Sequence, residues 1–438
     1  MMADAASQTP ALRRVLSKWD LTAIGINQVI GGAVFLMPSQ VAAQAGNWSP
    51  VAFLLAGFAS LLVALCFAEA GSRFETTGGA YLYTRAAFGP FTGFEVGWMQ
   101  WFTRVSSQAS VVNGLALALG FYWPVMRQGL GRSLLITILT LALGVINTRG
   151  IRQSAWVVNA LTIGKLVPLG VFVTAGLFFV DWGRLSPLPS ITISQAASAG
   201  LLLIFVFGGF DVLCVPAGEA TQPRNQVPFA FIVTIAAVTL IMTLAQIVTM
   251  TNLADVTRSA TPMADAALHF LGSWGAAMIG IASVISITGN NAGAVLAGSR
   301  MLFALAENDA LPPFFGRVHA TYRTPYTAIW FTTLVALALA LTGSFVVLAT
   351  ASAVARLVIY AGVSAAALVL RRPKFEGKTR PASFVIPFGP VVPVLAVLVS
   401  LVILVGASRQ QLLGGALALA GGAFLYGLHA MARRRNES

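Results

Sequence analysis

Residues 23–38 read AIGINQVIGGAVFLMP, and residues 201–213 read LLLIFVFGGFDVL. Each is an apolar run that would continue as one helix, and each is cut near its middle by a glycine pair, Gly31-Gly32 and Gly208-Gly209. Glycine in a helix interior costs roughly 1 kcal/mol relative to alanine. Two in succession mark a place where the hydrogen-bond ladder gives way. In water the freed N–H and C=O groups would simply be hydrated, but in lipid they need another partner.

Composition decides that lipid is the solvent. Of 438 residues, 57% are hydrophobic and 9% charged, against roughly 25% charged in soluble domains. The length accommodates about a dozen helices of roughly 20 residues. The formal charge of +13 does not indicate nucleic acid, because the basic residues lie in short segments between apolar runs. Cys66 and Cys214 both fall inside apolar runs and read as small buried residues, not as a disulfide framework. The opening MMADAASQTPALRR has no signal-peptide pattern, so the first apolar run is expected to act as its own insertion signal.

Runs of spanning length predict an all-α integral membrane protein with twelve transmembrane helices. The first six are expected near 21–44, 50–70, 91–121, 133–149, 155–180 and 197–218. The second six are expected near 228–251, 268–299, 326–343, 345–369, 385–407 and 411–431. Most of the 27 basic residues fall on one side of this plan, Arg13, Arg14, Lys18, Arg73, Arg85, Arg300 and Arg433 among them, whereas Arg127, Arg132, Arg184, Arg258 and Arg409 fall on the other. The positive-inside rule then puts both termini in the cytoplasm. Helices one to five (20–180) and six to ten (196–370) form two halves of an odd number of spans, so the second is inverted relative to the first, and each half opens with a broken helix. A cytoplasmic tail (1–19) and two further helices (385–431) complete a single domain. Matched breaks in inverted halves are the sequence sign of a transported small molecule bound at mid-membrane.

The longer motifs carry a family likeness. VIGGAVFLMP (29–38), FAEAGSRFETTGGAYLYTRAAFG (67–89), GEATQPRNQVP (218–228) and AGSRMLFALAENDALPPFFGRVHATYRTP (297–325) stand in this order. Together they resemble the amino acid–polyamine–organocation superfamily, nearest in style to its bacterial amino-acid permeases. The resemblance implies a leucine-transporter-like fold, location in the cytoplasmic membrane, and alternating-access uptake or exchange of an amino acid or amine. One departure is that many relatives read Gly-x-Gly at the first break, where this chain has Gly31-Gly32-Ala33. A positive φ at Ala33 would be costly.

The first break is expected to aim the N–H groups of Gly31, Gly32 and Ala33, with the positive end of a helix dipole, at a substrate carboxylate. Carbonyls near Phe205, Phe207 and Gly208, joined by those of Ile26 and Ile30, would accept from an α-ammonium group. Phe205 resembles the family's aromatic lid over the substrate. Close helix packing is the competing account of the glycines.

Lys165, in NALTIGKLVPLG, puts a charge at mid-membrane at a cost of about 2.5–3.5 kcal/mol, so it is expected to face the interior. The resemblance likens it to a lysine whose ammonium fills the place of sodium in sodium-coupled relatives, with Ser283 or Ser286 as an eighth-helix partner, and so implies sodium-independent transport, proton-coupled or by exchange. A desolvated lysine can also release its proton and carry the coupling proton itself, the competing account being a structural ammonium that never changes state. Asp211 either reads a cationic part of the substrate or pairs with Arg104 or Lys165. Arg104 either reads an acidic side chain or pairs with Glu95, Asp211 or a carbonyl. Arg356, with Tyr360 one turn on, reads as a structural or gating contact, as do Glu69 and Glu219 near helix ends. Ser106, Ser107 and Gln108 either line the cavity or bond between helices.

An intramembrane enzyme is disfavoured, since His269, His319 and His429 have no metal spacing and no nucleophile–base arrangement or phosphate loop is present. No cofactor is called for. A polyamine carrier would want several buried acids, and Asp211 alone stands out, so the sequence favours an amino acid, neutral or apolar given the aromatic surroundings. A channel, or a non-transporting receptor on the same scaffold, is also compatible with the sequence.

Overall fold

The computed structural model describes residues 12–437 apart from 127, 189, 260, 344, 376, 378, 406 and 408, and both glycine pairs interrupt helix in it. The first apolar run is two helices, α1 (Lys18–Val29) and α2 (Ala33–Ala45). Ser17 caps α1 in a capping box with Asp20, each side chain accepting the other's backbone N–H. The chain continues through α3 (Ser49–Gly71), α4 (Ala80–Phe88), α5 (Pro90–Tyr122), α6 (Gly129–Arg149) and α7 (Ile151–Gly176). The second broken run is α8 (Ile193–Phe207) followed, after Gly208 and Gly209, by a 3₁₀ segment, Phe210–Glu219. Then come α9 (Pro223–Asn252), α10 (Pro262–Glu307), α11 (Tyr326–Thr342), α12 (Phe345–Val369), α13 (Val391–Val405) and α14 (Arg409–Glu437).

The described residues contain no strand, only isolated bridges such as Leu16 with Ala220. Six helical stretches among them are long and apolar enough to cross a membrane unaided, and three apolar helices are shorter. Of the broken runs, only the end of α2 from Met37 belongs to one of these stretches, continuous with α3 to Gly71. The 33-residue α5 instead carries Glu95, Gln100, Arg104 and Gln108, all buried.

Three features depart from the sequence reading. The short helix α4 was not foreseen, because nine residues fall below spanning length. Helix α10 runs to 46 residues, bent at Gly272, whose φ is +68°. Consequently Arg300, read as a loop residue, is a fully buried helical one. Cys66 and Cys214 are buried and free.

Helices α3 and α9 pack along each other, as do α5 with α10 and α12, and α7 with α10. The broken segments lie among them, and Phe207, Phe210 and Lys165 are among the largest fully buried side chains.

Candidate functional site

The two breaks meet. Gly209 has a φ of +126°, a value that disfavours any residue with a Cβ, and an added Cβ would sit 2.5 Å from the Gln28 carbonyl oxygen at the end of α1. A cavity of about 100 Å³ lies beside this contact. Gly31, Gly32 and Ala33 line it from the first break and Val206 and Gly208 from the second. Its wall continues along α2 through Met37 and Gln40, and along α5 through Arg104, Ser107, Val111 and Gly114. Gln28, Val29, Asn290, Ile287 and Arg356 complete it.

The backbone at the first break is specific about which donors are free. Gly31 N–H donates to the Val29 carbonyl at 2.8 Å, so it is not a free donor as the sequence reading had it. The N–H groups of Gly32, Ala33 and Val34 find no partner among the described residues. They form the exposed positive end of α2. No positive φ occurs at Gly31, Gly32 or Ala33, so alanine at position 33 is unstrained. Gly32 is needed for space instead, since a Cβ there would lie 2.7 Å from Ile287 Cγ1.

Ile26 and Ile30 do not line the cavity, and their carbonyls are occupied. Ile26 O accepts from Ile30 N–H at 2.8 Å. Ile30 O accepts from Lys165 Nζ at 2.5 Å and from Ser286 Oγ at 2.8 Å, which fills both lone pairs. The sequence expectation for these two carbonyls is therefore corrected. Lys165 also donates to Asn27 O at 2.9 Å. This fully buried side chain thus fastens α7 to the frayed end of α1, with Ser286 of α10 on the same oxygen. Ser283, three residues earlier, makes no such bond.

The sequence reading missed an amide clamp. Asn27 Nδ2 donates to Gly289 O at 2.5 Å, Gln28 Nε2 to Asn290 O at 2.8 Å, and Asn290 Nδ2 to Gln28 O at 2.9 Å. Asn290 Oδ1 is left buried without a donor. The INQ and GNN strings were the available signal, because amides inside apolar helices demand partners.

Below the second break, Phe207 is buried against Phe53 and does not line the cavity. The Phe205 side chain lies outside the described residues. Phe210 stacks on Tyr360 with ring centroids 5.0 Å apart, and neither ring lines the cavity. Asp211 is fully buried beneath it, with Arg104 Nη2 3.5 Å from both carboxylate oxygens and Gln100 Nε2 3.3 Å from one. Of the pairings expected for Asp211 and Arg104, this is the mutual ion pair.

Ion pairs link the helices at the end of the bundle where α1 begins. Arg300 and Glu219 form a buried bidentate pair, and the Val15 and Leu16 N–H groups both donate to Glu219 O. Glu69 binds Arg371, raising its guanidinium above the ordinary value chiefly through that hydrogen bond.

A model of the family described as amino acid permease matches residues 16–418, the span holding both breaks, the cavity and Lys165. The chain belongs to this amino acid permease family. The permease is also similar to three curated proteins of Bacillus subtilis. With a methylthioribose transporter it shares 28% identity, over 90% of this chain and 88% of the relative. With the serine/threonine exchanger SteT it shares 30%, over 85% and 86%. With the branched-chain amino acid permease BcaP it shares 27%, over 90% and 88%. The permease is an integral membrane transporter and not an enzyme.

Proposed function

We infer that the permease is a secondary transporter that moves an amino acid across the bacterial cytoplasmic membrane by alternating access. The observation that carries this reading is the meeting of two broken helices at one cavity lined by Gly32 and Ala33, whose N–H groups, like that of the following Val34, have no partner among the described residues. A substrate carboxylate takes those donors. Its ammonium takes Asn290 Oδ1 and the carbonyls of the last turn of α8, around Phe205, Phe207 and Gly208, which have no partner within the helix itself. The related proteins' names span a thio-sugar and several kinds of amino acid, so they leave the substrate open. A polyamine or other organic cation is disfavoured because, among the described residues, no carboxylate lines the cavity whereas two arginines do.

In this reading twelve spans form a 5+5 inverted repeat, residues 20–180 and 196–370. Support comes from the packing. The pair of third and tenth spans, α5 with α12, has its counterpart in the pair of eighth and fifth, α10 with α7, as inversion requires. With both termini cytoplasmic, the Arg300–Glu219 pair closes the inner side, while the cavity wall rises along α2 and α5 toward the outer side.

Lys165, on the Asn27 and Ile30 carbonyls, supplies a fixed cation at the first break, with Ser286 beside it. A sodium ion there would face an ammonium group at close range. Transport is therefore sodium-independent, by proton coupling or exchange. The test is counterflow of radiolabelled amino acids in proteoliposomes holding the purified protein. Preloaded unlabelled substrate should drive accumulation of label with no sodium present. Binding without counterflow would mark a non-transporting receptor, and accumulation only under a sodium gradient would refute the role given to Lys165.

A further inference from the structure

The charges at the cavity do not balance. Arg104 and Arg356 both line it, and each is at most 3% exposed. Guanidinium stays charged at any physiological pH. Among the described residues the one carboxylate nearby is Asp211, which sits behind Arg104 at 3.5 Å and also receives Gln100. Arg356 has no ion-pair or hydrogen-bond partner among the described residues, and its Nε is buried without an acceptor. Its head fills the space a Cβ at Gly208 would need, so it stands directly at the second break.

The other acids embedded among the helices are committed elsewhere. Glu219 holds Arg300 and Glu69 holds Arg371. Glu95 points to α14, where a Cβ at Gly422 would meet its Oε2 at 2.9 Å. Lys165, the third basic side chain near the breaks, has carbonyls for partners. The cavity thus carries an uncompensated guanidinium, together with the N–H end of α2. A buried, unpaired charge inside a membrane protein is costly, and such residues mark what is bound or moved.

A zwitterion has no net charge and would leave this imbalance in place. Its carboxylate is wanted by the Gly32–Val34 N–H groups, and a second anionic group would satisfy Arg356. We propose that the substrate of this permease is an amino acid with a carboxylate side chain, whose side-chain carboxylate pairs with Arg356 at the second break while its α-carboxylate caps α2. The proposal rests on the amino acid transport reading above. It replaces the neutral or apolar preference drawn from the aromatic residues, because Phe207 and Phe210 pack away from the cavity while the two arginines line it.

The experiment is competition against radiolabelled glutamate on the purified full-length protein, using aspartate, glutamine, asparagine, leucine, serine and the ammonium-free glutarate. Glutamate or aspartate should bind roughly tenfold or more tighter than its amide, the value of one charged hydrogen bond. Arg356→Gln should erase that preference by weakening glutamate roughly tenfold or more relative to glutamine, and Arg356→Lys should restore part of it. The unmodified protein alone can decide the matter if the variants fail to fold. Equal or tighter binding of glutamine, leucine or serine overturns the proposal and leaves amino acid transport standing. Competition by glutarate as strong as by glutamate overturns it by making the ammonium dispensable. Absence of counterflow for every amino acid overturns the transport reading itself, and this proposal with it.

Discussion

Gly32→Val abolishes uptake while the protein still inserts and folds. The new Cβ would stand 2.7 Å from Ile287 Cγ1, and a β-branched side chain adds two methyls to that clash. Overpacking of this kind costs about 1–3 kcal/mol, which a bundle with this much buried surface can absorb by shifting α2 away from α10. The shift moves the Ala33 and Val34 N–H groups off the substrate and places methyls in the cavity. Loss of two charge-assisted hydrogen bonds is worth about 3–6 kcal/mol, or roughly a hundredfold or more in affinity. Gly170→Val is the control, because nothing lies within 4 Å of a Cβ there. Initial rates of uptake, normalised to surface-labelled protein, make the comparison. Uptake by G32V at the level of G170V would remove the first break from the binding site.

What the chain disclosed in advance follows the range of the underlying physics. A glycine pair in an apolar run is a local contradiction, and so is a lysine at mid-membrane. Both can be seen without knowing the fold, and both lie at the meeting of the breaks. What a residue touches across the bundle is not local. Asn27 and Gln28 reach Gly289 and Asn290, 262 residues away, and only the packing of α1 on α10 brings them together. Arg356 likewise reaches Gly208 through the placement of α12. Ser283 and Ser286 are the same residue type three positions apart, and the sequence could not say which one faces Ile30. The assignment of free backbone groups failed for another reason. Gly31 N–H and Ile30 O were counted as unpaired because the helix ladder stops there, yet a tight turn takes the first and Lys165 with Ser286 takes the second.

The broken helices also explain why charged residues cluster in so apolar a chain. A helix that breaks in mid-membrane exposes carbonyls on one side of the break and N–H groups on the other. Lys165 and the arginines sit where those groups or their ligands need charge, while the acids serve to fix helix ends. This division makes the Arg300–Glu219 pair the second place where a single substitution has a large effect.

Arg300→Met destabilises the fold by about 3–5 kcal/mol, because it leaves the Glu219 carboxylate buried and unpaired. Both side chains are fully buried, and the pair is bidentate, with Nε to Oε2 at 3.0 Å and Nη2 to Oε1 at 3.2 Å. The Glu219 backbone carbonyl also holds the Val15 and Leu16 N–H groups at 2.8 and 2.9 Å, so the stray charge disturbs the attachment of the N-terminal segment as well. Replacing both residues, Arg300→Met with Glu219→Leu, removes the charges together and should recover most of the loss, since apolar groups of similar volume substitute well for a buried ion pair. Thermal unfolding of the three proteins in detergent reads the difference directly. The double change also separates stability from gating. If the pair only fixes the fold, the double variant regains both its melting temperature and its uptake. If the pair also closes the inner side of the cavity during the transport cycle, melting recovers while counterflow remains impaired. A double variant no more stable than the single one would mean that the charge pairing contributes nothing the arginine's packing does not already supply.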